Sequence, residues 1–420
     1  METLKSARSV GLCWMAFVAS SLASVAAAQE WSRFRGPNGS GVSDAKTIPV
    51  KWTDSDIRWK SKLPGEGISS PVVWGAKIFV TAAEPDIGQR HLICLRATDG
   101  QELWRKSEAF RVYKKHKVNS FATCTPAVDA ERVYTVWQSA ESSALLAFGH
   151  DGAPVWKFEL DPFSEGHGGG VSPIVWNDLV VLACDQQGPS YLVAVDRRTG
   201  EQRWKSPRRS KRAGYSTPCV YQVPGRPDEL IFTAWEHGIT GLDPLTGEVR
   251  WEVDCFGKQT ERAIASPIVA GDVIFGTCGF VTSDKHCVAI RPSDSGGKSE
   301  AKELFRIEKT APHLPTPLAY NGRLFLWTEK GVVTSVKLDN GEVVTTKRIG
   351  GNYSASPVCI DGKLYAVSDA GEVVVLTADD TLEELARNSL EESSSATPAV
   401  SGGRLYLRTM SQLLCVGGTP

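Results

Sequence analysis

Six short segments concentrate the side chains that could do chemistry: KKHKVNSF (114–121), EGHGGGVS (165–172), RRSKRAGYS (208–216), TERAIAS (260–266), PHLPT (312–316) and GNYSAS (351–356). Each runs into a Ser/Thr-Pro or Phe-Ala-Thr stretch that opens an apolar run, so each is a polar loop leading into a strand. Together they supply His116, Asn119, His167, Arg212, Tyr215, Arg262, His313 and Tyr353. If the fold brings these loops to one place, the result is a basic, hydrogen-bonding pocket for an anionic small molecule or an acidic peptide. If it does not, they are solvated loops whose residues never meet.

Other chemistries fit less well. His116, His167 and His313 could in principle ligate a metal, but no short ligand spacing joins them. HGGG at 167–170 has the look of an oxyanion loop, yet the chain has no G-x-S-x-G elbow to supply a nucleophile. KKHK and RRSKR could hold phosphate or a membrane surface, and as charge runs they read first as solubilising loops. No catalytic residue, cofactor ligand or metal site is assigned.

What positions these loops is a repeat. SSPVV, CTPAV, VSPIV, STPCV, ASPIV, PTPLA, ASPVC and ATPAV recur with prolines at Pro71, Pro126, Pro173, Pro218, Pro267, Pro317, Pro357 and Pro398, 40 to 55 residues apart. Within a unit, the apolar pair is followed by a turn, a β-rich strand, a second strand with a small residue near its end, a Gly-containing hairpin turn and a last strand. Glycine suits that turn because it takes positive φ without strain. Four short antiparallel strands repeated radially are a β-propeller blade.

The fragment RWKS at 58–61 settles the count. The last unit ends at LLCVGGTP with three strands, while residues 56–63 form a fourth strand lacking its first three. The N-terminal strand therefore completes the C-terminal blade, which removes exposed strand edges. The expectation is an all-β, eight-bladed propeller over residues 56–417, with four antiparallel strands per blade. Trp59, Trp104, Trp156, Trp204 and Trp251 then share one structural position, taken by Phe305, Thr345 and Leu385 in the next blades, and pack between neighbouring blades. Cys94 and Cys415 fall in a slot otherwise held by Ala, Gly or Ser (Ala147, Ala194, Gly241, Ala289, Ser335), which marks the cysteines as small buried side chains. One disulfide stays open, with Cys278 and Cys287 the closest pair in sequence.

Residues 1–28 read as a signal peptide: Lys5 and Arg8, an apolar run over 10–22 and a small-residue site at Ala26–Ala28. The run is too short to span a membrane. Residues 29–55 form an N-terminal extension. The expected protein is exported, periplasmic or secreted, and monomeric. A formal net charge of −1 argues against nucleic acid as a partner.

AVDRRTGEQRW (194–204), GLDPLTGEVRW (241–251) and CLRATDGQELW (94–104) resemble the PQQ-like β-propeller repeat family, and WSRFRGPNGSGVS (31–43) resembles the leader of exported propellers of planctomycete type. The resemblance implies one of two functions. A branch similar to the outer-membrane assembly factor BamB has no cofactor and works by contacting a partner protein. A quinoprotein dehydrogenase branch binds PQQ with Ca²⁺, flanked by a disulfide between adjacent cysteines. This chain has no adjacent cysteines, so the expected function is a non-enzymatic binding or scaffolding propeller of the cell envelope, with an envelope protein or peptide as partner. A PQQ-dependent oxidoreductase is the alternative.

Overall fold

The computed structural model describes residues 30–164, 166–257, 262–280, 284–295 and 298–418; the signal-peptide reading lies outside them. Eight sheets stand in a ring, seven of them built from four consecutive antiparallel strands. The eighth joins Ala399–Ser401, Arg404–Arg408 and Gln412–Val416 to Ile57–Lys62 from the other end of the chain. In that closing pair Trp59 lies opposite Cys415 and Lys62 opposite Gln412. The seventh blade has a fifth strand: Val42–Ser43 of the N-terminal extension runs parallel to Val358–Ile360.

Burial explains the sequence pattern. The middle strands of a blade face a neighbouring blade on both sides, so Leu179–Cys184 and Ser190–Asp196 are buried at every position and read as unbroken apolar runs. The outermost strand alternates, as in Glu102–Ala109, because one face meets solvent. The core is correspondingly divided. Separate apolar clusters fill the joints between adjacent blades, and one extends across blades seven, eight and one.

The aromatic position is a repeated joint. Trp104 faces Cys94, Trp156 faces Ala147, Trp204 faces Ala194, Trp251 faces Gly241, Phe305 faces Ala289 and Thr345 faces Ser335. A bulge follows at the same point in every blade. In blade seven that bulge excludes Leu385, and Ala386 occupies the position opposite Val375; Leu385 is not the equivalent residue. The indole N–H reaches the next blade's hairpin turn: Trp59 donates to the Ala97 carbonyl, Trp104 to His150, Trp156 to Arg197 and Trp204 to Pro244. Trp251 departs, donating instead to buried Glu229 of its own blade.

The cysteines in the described residues are all buried. Cys278 pairs with His286 and Cys287 with Thr277 on adjacent strands, so the two thiols point to opposite faces and no bridge joins them. Burial pushes the Cys94, Cys124, Cys184, Cys219, Cys255, Cys287, Cys359 and Cys415 thiols up to about 12, which keeps them protonated and unreactive.

The joint predicts a graded response. Gly200 has φ +76°, and a Cβ there would lie 2.7 Å from the Trp156 ring; Gly75 has φ +55° with no atom within 4 Å of that point. Gly75→Ala should cost about 1–2 kcal/mol from backbone strain alone. Gly200→Ala should cost a further ~1–3 kcal/mol from the clash, read as a lower denaturant midpoint. Equal losses would remove the turn–indole contact as a determinant of stability.

Candidate functional site

Each Ser or Thr that precedes a repeat proline points into the central channel. Ser70, Thr125, Ser172, Thr217, Ser266, Thr316, Ser356 and Thr397 all line it. They also bond the blades together. The Ser70 amide donates to Thr125 Oγ1 at 2.9 Å, Thr125 to Ser172 Oγ at 3.0 Å, Thr217 to Ser266 Oγ at 2.9 Å, Ser266 to Thr316 Oγ1 at 3.0 Å, Thr316 to Ser356 Oγ at 3.0 Å and Ser356 to Thr397 Oγ1 at 2.9 Å. Each of these amides would otherwise be orphaned at the channel wall, where the following proline offers no donor of its own. A hydroxyl one blade on is therefore required, which is the physical content of the Ser/Thr-Pro signature.

The channel that this ring lines is a funnel of about 370 Å³. His116, Asn119, His167, Tyr215, Arg262 and His313 line it, beside Phe34, Ile68, Val118, Ile264, Phe280 and Leu314. Two of the eight expected residues do not take part. Tyr353 is buried against Trp327, their rings 5.1 Å apart. Arg212 is half-buried outside the lining, its carbonyl accepting the Ser210 hydroxyl. Its neighbour Arg208 pairs with Asp185 at 3.1 Å, both side chains 3% exposed, so this basic run is partly structural.

The rim is ordered by short contacts. Asn119 donates to the His167 carbonyl at 2.7 Å and accepts from the Thr123 hydroxyl at 2.5 Å. The His116 and His167 rings stack 5.2 Å apart and within 5° of parallel. Arg262 meets His167 Nδ1 at 3.3 Å. Burial holds His116 below the usual histidine pKa, and the nearby Lys117, Arg262 and Lys115 cations push the same way. His313 lies edge-on to Phe280, and burial draws its pKa down to about 4, with Lys285 and Arg262 outweighing part of the pull of Glu329.

The base of the funnel was not legible from the repeat. Residues 30–43 run across the channel, and Phe34 forms its floor. Trp31 pairs with Val73, and the Ser32 carbonyl accepts from Val128. Arg33 donates to the Pro218 carbonyl, and Arg35 to those of Pro317 at 3.0 Å and Pro357 at 3.3 Å. Asn38 bonds both the amide and the carbonyl of Val220, at 2.8 and 2.7 Å. The only advance signal was composition: the arm needs glycine, since Gly36 (φ +66°) turns directly over the Trp31 ring, where a Cβ would sit 2.5 Å away.

No described residue lining the funnel is an Asp or Glu. Among the described residues no group of three His, Cys, Asp or Glu side chains could hold a metal ion, and no helix is long and apolar enough to cross a membrane. The arrangement can hold an anion or an apolar chain.

His313 makes this site sensitive to acid. Its folded pKa is lowered from 6.5 to about 4, so the unfolded chain binds the proton first and stability falls as pH drops from about 6.5 towards 4. His313→Phe should flatten that fall by an amount on the order of 2–3 kcal/mol. Denaturant midpoints of the two proteins at pH 7 and pH 4.5 check this; parallel losses would show that His313 is not buried in its neutral form.

The family described as "Outer membrane protein assembly factor BamB" (PQQ_2) matches residues 43–145, 88–320 and 329–416. Among solved structures, BamB from Moraxella catarrhalis is similar at a TM-score of 0.59 and 14% identity, over 85% of this chain and 97% of that one. A quinohemoprotein alcohol dehydrogenase from Comamonas testosteroni gives 0.62 and 12%, over 93% and 81%. Sqt1 from Saccharomyces cerevisiae gives 0.62 and 9%, over 87% and 99%. At these identities the structural likeness carries the fold alone. No curated protein matches the chain in sequence.

Proposed function

We propose that this chain, which belongs to the BamB family of PQQ-like propellers, is a non-enzymatic binding and scaffolding module of the cell envelope that holds a protein or peptide partner on its funnel face. The observation that carries this reading is the make-up of the rim. Val118 and Phe280, 57% and 37% exposed, line the funnel mouth beside His116 and Arg262. An apolar centre with a basic margin is the pattern of a peptide-binding surface rather than of a solvated loop. The frame beneath it is rigid, so the rim is presented without ordering cost. Residues 1–28 read as the export signal, with cleavage near Ala28.

The alternative is a PQQ-dependent oxidoreductase. The likeness to the alcohol dehydrogenase supports a common frame. The donor set does not fit the cofactor: Ca²⁺ takes carboxylate oxygens, and none belongs to a described residue lining the funnel. Dye reduction after addition of PQQ and Ca²⁺ would reverse the ranking.

Strands alternate in direction, so the hairpin turn carrying Leu245 (72% exposed) lies at the opposite end of the propeller from Val118. A photo-crosslinking residue placed at Val118 should capture a discrete partner in envelope preparations, and one at Leu245 should not. Equal capture from both ends, or none from either, would defeat the funnel-face reading.

A further inference from the structure

Outside the funnel, one cluster joins a hydroxyl, an imidazole and a carboxylate in a row. It lies on blade one, where Lys77–Glu84, Gln89–Arg96 and Glu102–Ala109 are consecutive strands of one sheet. His91 stands opposite Ala82 on one side and Ser107 on the other, and Glu84 follows Ala82 by two residues. Directly opposite residues share a face of a sheet, as do residues two apart on one strand. Glu84, His91 and Ser107 therefore project from the same face. His91 Nδ1 and Ser107 Oγ are 2.8 Å apart, and His91 Nε2 and Glu84 Oε1 are 3.0 Å apart.

The hydrogen bonds fix the roles. A carboxylate only accepts, so Nε2 carries the imidazole proton and donates it to Glu84. Nδ1 keeps its lone pair and accepts from the Ser107 hydroxyl. The ring is 3% exposed, while Ser107 is open to solvent. Burial lowers the His91 pKa; the hydrogen bond and charge of Glu84 and the charge of Glu102 raise it, and the charge of Arg105 lowers it. The ring is thus neutral at pH 7 and able to take a proton. Arg105 is itself paired with Glu102 at 2.8 Å. Glu84 is confined: a Cβ on Gly65 would come within 2.7 Å of its Cγ, and the Glu66 backbone pairs with Ala83 beside it. A hydroxyl, a base that touches it and a carboxylate that orients the base are the parts of an activated nucleophile. Here they stand on three paired strands, which hold them more firmly than loops do.

We propose that Ser107 is a nucleophile that takes up the acyl group of an activated ester, with His91 as its general base and Glu84 as the positioning residue that holds the imidazole. Ser107 Oγ attacks the acyl carbon, and its proton passes to His91 Nδ1. The bond from the acyl carbon to the leaving group breaks, that group departs with the electron pair, and the proton on Nδ1 passes to it. The product is an acyl ester on Ser107, with nothing oxidised or reduced. Ile87, 65% exposed, lies in the turn between Glu84 and Gln89, which suits an apolar acyl group. The capture takes place on blade one and needs no protein partner, so purified protein tests it separately from the crosslinking experiment.

The test treats the mature protein with p-nitrophenyl butyrate, following p-nitrophenolate release by absorbance and the acylated peptide by mass spectrometry. A fluorophosphonate, which forms a phosphonyl ester with loss of fluoride, maps the same hydroxyl. Stoichiometric release and acylation at Ser107 are expected, at a rate that rises with pH through the His91 titration and then levels. Ser107→Ala should abolish the release. His91→Gln should slow it about 10²–10⁴-fold, the usual contribution of a general base. Glu84→Gln keeps an acceptor for Nε2 and removes the charge, so it should slow acylation about tenfold and move the pH inflection downwards. Should His91→Gln fail to fold, the Glu84→Gln profile decides, since a bond that only braces the strands would leave the inflection in place. Acylation spread over other side chains, release unchanged in Ser107→Ala, an unchanged rate in folded His91→Gln, or an unmoved inflection in Glu84→Gln would each overturn the proposal.

Discussion

The structure depends on one ladder, the antiparallel pairing of Ile57–Lys62 with Gln412–Val416. A ring of sheets has no stable open form of the same quality. Left unclosed, blade eight would lack its outer strand and blade one would lose the joint that Trp59 makes with Ala97 and Gly100. The apolar cluster at this joint also takes in Trp31 and Trp52 from the arm and residues of blade seven. Both ends of the polypeptide are thus buried in the same core. Joining residues so far apart in sequence carries a loop-closure cost that grows only slowly with length, and the burial it permits is local and extensive.

The joints between blades show how a repeat becomes a specific contact. The backbone register of the aromatic position is the same in every blade, down to the bulge that follows it. Its side-chain direction is set by the neighbour. Where the next blade offers a tight glycine turn, the indole lies on that turn and donates to a carbonyl there, as with Trp204 on Gly247 and Pro244. Blade five instead has a long hairpin, Lys285–Ser295 with Lys298–Ile307. Trp251 then settles over Gly241 and donates to Glu229. Sequence periodicity reports the first property and is silent on the second, which is why five tryptophans read as equivalent and four behave so.

The same distinction marks what else was legible. Strand count, blade closure and the small-residue slots follow from spacing, because every blade must satisfy the same ladder. The gathering of His116, Asn119, His167, Tyr215, Arg262 and His313 also follows, since each lies at a fixed offset before an inner strand. Tyr353 and Arg212 have comparable offsets but lie outside the lining, Tyr353 packed on Trp327 and the Arg212 backbone tied to Ser210. The arm could not be read. It has no regular period and no strand longer than Val42–Ser43, and many of its partners are single groups on blades far away in sequence.

The sign of the funnel's charge follows from the ring as well. The inner strands turn one edge to the channel, and away from the short pairing of Val42–Ser43 with Val358–Ile360 that edge presents carbonyl oxygens with no strand to satisfy them. A segment crossing the channel must bring donors. A guanidinium supplies several in one plane and can span two blades, as Arg35 does between Pro317 and Pro357. A carboxylate in that position would face a row of negative dipoles, and a neutral side chain would leave carbonyls orphaned. Closing the ring creates the carbonyl edge, the edge selects arginines in the arm, and the arginines leave the sealed end of the funnel positive.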